Sequence, residues 1–256
     1  MKEGLILEFS PSIIVFIFLI QFFSFCIKGF LGFGNPLISG PLLSMRLNNT
    51  LITPGTTILD VLVNAHIAWT NRRHIQFRRV IPTMIVVIMG SIPGTLLLKR
   101  SMPWVIKTAL GVVVVILGIE MATRKLRSKA KSKDHPLIRL IVAFFSGVCA
   151  GLFGINMFIV AYLQQTAKDY NEFKGSLCFL FLGEGIFRTL SYVLNGMITK
   201  EVFLFILISL PAEFLALAFA NRFSHKVEES KMYSAAIVLF ILGGISIILK
   251  SLILHT

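Results

Sequence analysis

Two short helical stripes carry much of the polar chemistry available to this chain. Thr56, Asp60 and Asn64 are spaced four apart inside one apolar run, and Ser176, Leu180, Glu184 and Arg188 are spaced four apart inside another. Residues four apart share one face of a helix, so each set aims its polar groups in a single direction. Ionisable side chains in such segments are expensive and mark a ligand or ion pathway by default. Asp60 and Glu184 are the candidates for a coupling proton or cation, because a carboxylate taken out of water gains by acquiring one. Arg188 presents a planar fork that suits two oxygens of a sulfonate, sulfite or carboxylate. Each residue also has a plainer use. Glu184 and Arg188 can neutralise one another across a helical turn, and Asp60 can hydrogen-bond to backbone or to Asn64.

A second kind of chemistry comes from the backbone. Gly29-Phe-Leu-Gly32-Phe-Gly34-Asn35-Pro36-Leu-Ile-Ser-Gly40-Pro41 interrupts an apolar segment with a density of helix breakers that a simple kink does not need. At membrane depth, broken backbone is tolerated only where it faces protein or a water-filled cavity. Free N–H groups at the start of a helix, aided by its dipole, attract an anion. Gly32 and Gly34 would let the backbone approach a ligand, and the Asn35 amide could donate to it. Lys28, directly before Gly29, would add positive charge there or else reach toward an interface. Gly151-Leu-Phe-Gly154 echoes the first break, with Asn156 beside it.

The elements that must position these groups are transmembrane helices. Only 14% of the 256 residues are charged, 55% are hydrophobic and the mean hydropathy is +0.83, which excludes a soluble domain. The expected class is an all-α polytopic membrane protein of about eight transmembrane helices in two four-helix repeats. The spans are expected at 11–30, 51–69, 80–98, 103–123, 137–153, 175–194, 201–220 and 232–253. Short pieces at 37–45 and 157–163 read as half-helices, and a polar loop is expected over 164–174. Residues 1–123 form the first repeat, 124–136 a basic connector and 137–256 the second repeat. Lys174-Gly175-Ser176 echoes Pro54-Gly55-Thr56, so an offset of about 120 residues holds across both motifs. Duplicated halves with matching broken helices are the best sequence-level pointer to a transporter site.

The formal charge of +13 does not imply nucleic acid, because the basic residues sit in short loops between apolar runs. Arg72, Arg73, His74, Arg78 and Arg79 form one such cluster, and the connector from Arg124 to His135 forms the other. Both read as cytoplasmic, with anionic lipid headgroups as neighbours. Lying two spans apart, they imply an even number of crossings per half and both termini in the cytoplasm. Fully spanning short pieces would make the repeats inverted instead. Cys26, Cys149 and Cys178 lie in apolar runs and imply no disulfide framework. The first apolar run reads as a retained span and not as a cleaved leader. His66 reads as an interface residue, and Glu120 and Lys250 as charges near span ends. Glu213, beside Pro211, is deeper and reads as either functional or a helix-kink partner. No metal spacing, P-loop or catalytic triad is present, and no cofactor is expected.

Gly32-Phe-Gly34-Asn35-Pro36-Leu-Ile-Ser-Gly40-Pro41-Leu-Leu, with Gly55-Thr56-Thr57, resembles the glycine-rich motifs of the TauE/SafE sulfite exporter (toluenesulfonate uptake permease) family. Asn71-Arg72-Arg73-His74-Ile75, Gly90-Ser-Ile-Pro93-Gly94, Gly151-Leu-Phe-Gly154-Ile155, Tyr162, Gly175-Ser176 and Arg188 continue the resemblance through nearly the whole chain. Asn35 and Pro36 stand where that motif has glycines, and Asn156-Met157-Phe158 replace a Gly or Pro run in its second copy. The resemblance implies a bacterial inner-membrane transporter, not an enzyme, that moves sulfite, an organosulfonate or a related small anion. Lys28, Gly32, Gly34, Asn35, Thr56, Asn64, Gly154, Asn156, Ser176 and Arg188 are the expected substrate-binding residues, with Asp60 and Glu184 in coupling. The expected partners are the anion, the bilayer and a coupling proton or cation, with homo-oligomer formation open. An intramembrane enzyme acting on a lipid phosphate is the rival, but Glu184 with Arg188 is a thin set for it. A non-transporting sensor or partner subunit is the third reading.

Overall fold

The computed structural model describes residues 10–43, 46–98, 134–153 and 156–224 without interruption, and scattered positions over 111–123 and 228–249. Eight helices are delimited: α1 Pro11–Leu31, α2 Asn35–Leu43, α3 Asn49–Thr70, α4 Phe77–Leu98, α5 Pro136–Phe153, α6 Met157–Thr166, α7 Tyr170–Leu194 and α8 Lys200–Ser224. No strand occurs among the described residues. Among the described residues, five stretches are long and apolar enough to cross a bilayer: Pro11–Leu31, Thr50–Thr70, Phe77–Gly94, Tyr170–Leu194 and Lys200–Phe223, with Pro136–Gly151 a shorter apolar helix. Most of the expected spans at 103–123 and 232–253, Glu120, Lys250, Gly154 and the connector 124–133 lie outside the described residues.

Side chains are sorted as a lipid solvent demands. Phe23, Ile85, Leu207 and Phe214 point outward and are exposed, while Lys28, Asn64, Glu184 and Glu213 are buried between helices. Lipid tails are as apolar as these outward residues, so packing and polar contacts hold the helices together. The chain is an integral membrane protein.

The first break is much shorter than its sequence suggests. Gly29, Phe30 and Leu31 complete α1, and Asn35 already opens α2, so only Gly32, Phe33 and Gly34 leave the helix. Gly32 (φ 84°) and Gly34 (φ 101°) hold left-handed conformations that side chains resist. Gly29 serves packing instead, because a Cβ there would meet Ala220 of α8. Pro36 fits the first turn of α2, where its missing N–H has no helical partner to lose.

The polar loop expected over 164–174 shrinks to Ala167, Lys168 and Asp169. Its remaining polar residues close α6 and open α7. Asp169 caps α7 by accepting from the Glu172 N–H at 2.8 Å, which explains why a polar stretch begins a helix.

Contacts give each helix a direction. Gly175 meets Asn71, and Gly185 meets Val61, so α3 and α7 run antiparallel. Asn221 lies 3.4 Å from His66, and Phe205 packs on Gly55, so α8 runs with α3. The Arg46 guanidinium sits 4.8 Å from the Phe16 ring, which places the first turns of α1 at the end where α3 starts. Tyr162 donates to Asp134 at 3.0 Å, so α6 returns to the end of the bundle where α5 starts. That end also holds the 71–76 turn, because Arg79 lies 3.5 Å from Asp134. α1 thus enters from one end of the bundle and α5 from the other.

The tightest helix pair joins α4 to α5. A Cβ at Gly90 would collide with the Phe144 carbonyl, at Gly94 with that of Val148, and at Gly147 with that of Val87. Small residues let two backbones touch, as at many interfaces between membrane helices.

Candidate functional site

A polar seam runs through the centre of the bundle. On one side, Lys28, at the last turn of α1, is 2% exposed and forms an ion pair with Asp60 of α3. Lys28 therefore points into the protein and not toward an interface. Its pairing with Asp60 links two residues that the sequence suggested for separate roles. The negative end of α1 draws further donors from α7. Lys174 Nζ donates to the Gly29 carbonyl, and Cys178 Sγ to that of Gly32 at 3.4 Å.

On the other side, the Asn156 amide, at the start of α6, donates to the Glu184 carboxylate of α7. Ser146 Oγ of α5 lies 3.5 Å from the Asn156 oxygen and accepts from the Ile159 N–H at 3.2 Å. Arg188 stands 3.9 Å from Glu184 and donates to Tyr192 Oη at 2.8 Å.

Asn35 is 1% exposed, and neither its amide nitrogen nor its oxygen has a hydrogen-bond partner. The Asn64 oxygen, on the same stripe as Asp60, is also buried and unpaired. A buried amide left unpaired costs about 1–3 kcal/mol, so each such group in a native structure calls for a reason.

Not every expected residue joins the seam. Thr56 turns its hydroxyl back to the Ile52 carbonyl at 2.7 Å, which satisfies it within α3. Ser176 lies two turns from Glu184 and lines a separate cavity with Arg79 and Arg139. His66 is exposed near the end of α3, as an interface residue should be.

Three groups enter that the stripes did not single out. Glu213 of α8 is 1% exposed, with one carboxylate oxygen unpaired. Its signal was an acid beside Pro211 in an otherwise apolar run. Lys174 carried a signal as a cation close to the start of a span. Cys178 carried none, since a buried cysteine ordinarily packs as a small hydrophobe.

An all-helical membrane protein with paired charges beside two interrupted helices has the form of a transporter. The profile of the sulfite exporter TauE/SafE family matches residues 17–247, nearly the whole chain, and the protein belongs to that family of membrane transporters. No curated protein and no solved structure gave a match.

Proposed function

We propose that this protein is a secondary transporter of a small anion, such as sulfite, an organosulfonate or a related sulfur oxyanion, working by alternating access in a bacterial inner membrane. The observation that carries this reading is the convergence of Lys28–Asp60 and Glu184–Arg188 beside the two helix breaks. Lys28 and Arg188 supply charge for the anion. The Asn35 amide and the free N–H groups opening α2 supply directed hydrogen bonds. Gly32 and Gly34 keep side chains away from that backbone.

Coupling follows from competition. An oxyanion that engages Lys28 or Arg188 displaces the carboxylate that was there. The released Asp60 or Glu184 is then a buried, unpaired acid, and taking a proton restores its balance. One negative charge and one proton enter together, so the net charge of the seam is unchanged.

Two repeats, 1–123 and 137–256, joined by 124–136, fit the succession of long, short, long and long helices in each half. The opposite entry of α1 and α5 favours inverted over parallel repeats, the arrangement from which alternating access arises most simply. With the basic 71–79 cluster in the cytoplasm, the start of α1 then lies outside, contrary to the cytoplasmic terminus that charge spacing suggested. An impermeant maleimide applied to intact cells should label a cysteine placed at Ser12 and spare one at His74.

The functional test is uptake of isotopically labelled sulfite or toluenesulfonate by proteoliposomes under a proton gradient. Arg188→Gln should lower uptake by at least about tenfold, as expected for losing a charge-assisted fork. Unchanged uptake by a folded, monodisperse variant would remove Arg188 from the site.

A further inference from the structure

Away from the seam, at the end of the bundle that holds the 71–76 turn, a cavity opens between α4, α5, α6 and α7. Arg79, Asp134, Arg139, Glu172 and Ser176 supply most of its polar lining. We infer that this cavity is a second anion-binding site, a vestibule that takes a small oxyanion or carboxylate, and that Asp134 occupies it as an internal stand-in. The inference rests on the transport reading only for the identity of the cargo.

The occupant's chemistry is visible in Asp134 itself. Its carboxylate pairs with Arg139, lies 3.5 Å from Arg79 Nε and accepts from Tyr162 Oη at 3.0 Å. Two guanidinium groups and a phenol converge on one pair of oxygens, a geometry that suits any planar or tetrahedral oxyanion of similar size. Arg139 is 6% exposed, yet its Nε has no partner. Arg139 therefore keeps one donor that Asp134 does not use.

The surrounding charge favours exchange. Asp134 is the second residue before α5 and not part of the helix, so it can turn away without unwinding a turn. Without it, Arg79 and Arg139 outweigh Glu172. Glu172 is itself drawn back toward the start of α7, 3.4 Å from the Lys168 N–H, and the dipole of α7 adds positive potential there. Ser176 brings a hydroxyl to the same lining. Ser176, expected at the central site, is thereby placed at this one.

The test uses the purified full-length chain and four probes: sulfate, sulfite, methanesulfonate and acetate. Titration calorimetry is run in an Arg188→Gln background, which weakens the central site. Asp134→Asn should tighten binding of at least one probe by about tenfold, the factor that follows from removing a competitor worth about 1.4 kcal/mol. Adding Arg139→Gln should abolish that binding. Arg79→Gln, at a half-exposed position that folding tolerates, should weaken it several-fold. Binding of no probe by the Asp134→Asn protein overturns the vestibule, as does binding indifferent to both arginine substitutions. Vesicle uptake separates the two readings. Uptake that needs Arg188 but ignores Asp134 and Arg139 sinks the vestibule alone, whereas vestibule binding without uptake by any variant sinks the transport reading alone.

Discussion

At the first helix break the Asn35 amide is buried with neither end paired, whereas at the second the Asn156 amide is held between Glu184 and Ser146. The first break also carries two positive-φ glycines, Gly32 and Gly34, while Asn156 (φ −105°) needs no unusual backbone. The same residue type thus does different work in the two places. Asn156 spends its amide on holding a carboxylate in place. Asn35 keeps its hydrogen-bonding capacity unspent, the condition in which a binding group should be found. The first break is the better candidate for contact with cargo, and the second for control of the Glu184–Arg188 pair.

The largest effect should come from separating the pair beside the first break. Lys28→Met leaves Asp60 without its cation and should destabilise the protein by about 3–5 kcal/mol, whereas Lys28→Met with Asp60→Leu should recover most of the loss. Thermal unfolding of the three proteins in one detergent measures both steps. A double variant as unstable as the single would show that Asp60 is held by something other than Lys28.

Next comes the asparagine contrast itself. Asn156→Leu should cost about 1–3 kcal/mol by stripping Glu184 of its donor, whereas Asn35→Leu should cost nothing or stabilise slightly, since it removes an unsatisfied amide. Anion affinity should move the other way, falling more for Asn35→Leu. Equal stability losses would erase the distinction between the breaks.

Gly32→Ala should cost about 1–2 kcal/mol for forcing a side chain into left-handed backbone. Its Cβ would also press on Lys174 Cγ at 3.0 Å and disturb the cap on α1. The smallest effect belongs to Thr56→Val, which removes a hydroxyl bonded only within its own helix. Stability should change by less than about 1 kcal/mol, with uptake unaffected. A large uptake defect would return Thr56 to the site.

Much of this arrangement was legible in the chain. The positions of the helices follow from runs of apolar residues, and both breaks follow from glycine spacing. Asp60, Glu184 and Arg188 stood out because charges are scarce in such runs. What the sequence withheld was pairing across long separations. Nothing local joins Lys28 to Asp60, or Asn156 to Glu184, because those contacts depend on how helices cross. Thr56 and Ser176 show the opposite failure. Their spacing matched the stripes, but a hydroxyl can bond back to its own helix, and a face drifts along a long helix into another cavity. The reach of the first break was overstated for a related reason. Glycine and proline look alike as breakers on paper, whereas Gly29 is used for close packing and Pro36 for starting a helix.

Gly90, Gly94 and Gly147 have a mechanical consequence. With main chain resting on main chain, α4 and α5 have no side-chain cushion between them and little freedom to slide. They come from the first and second halves of the chain, so this contact works as a weld between them. Any movement that opens the seam first to one face and then to the other must carry α4 and α5 as a single shaft. Among the described helices, compliance is then expected around α1, α2 and α6, the pieces next to the two interruptions.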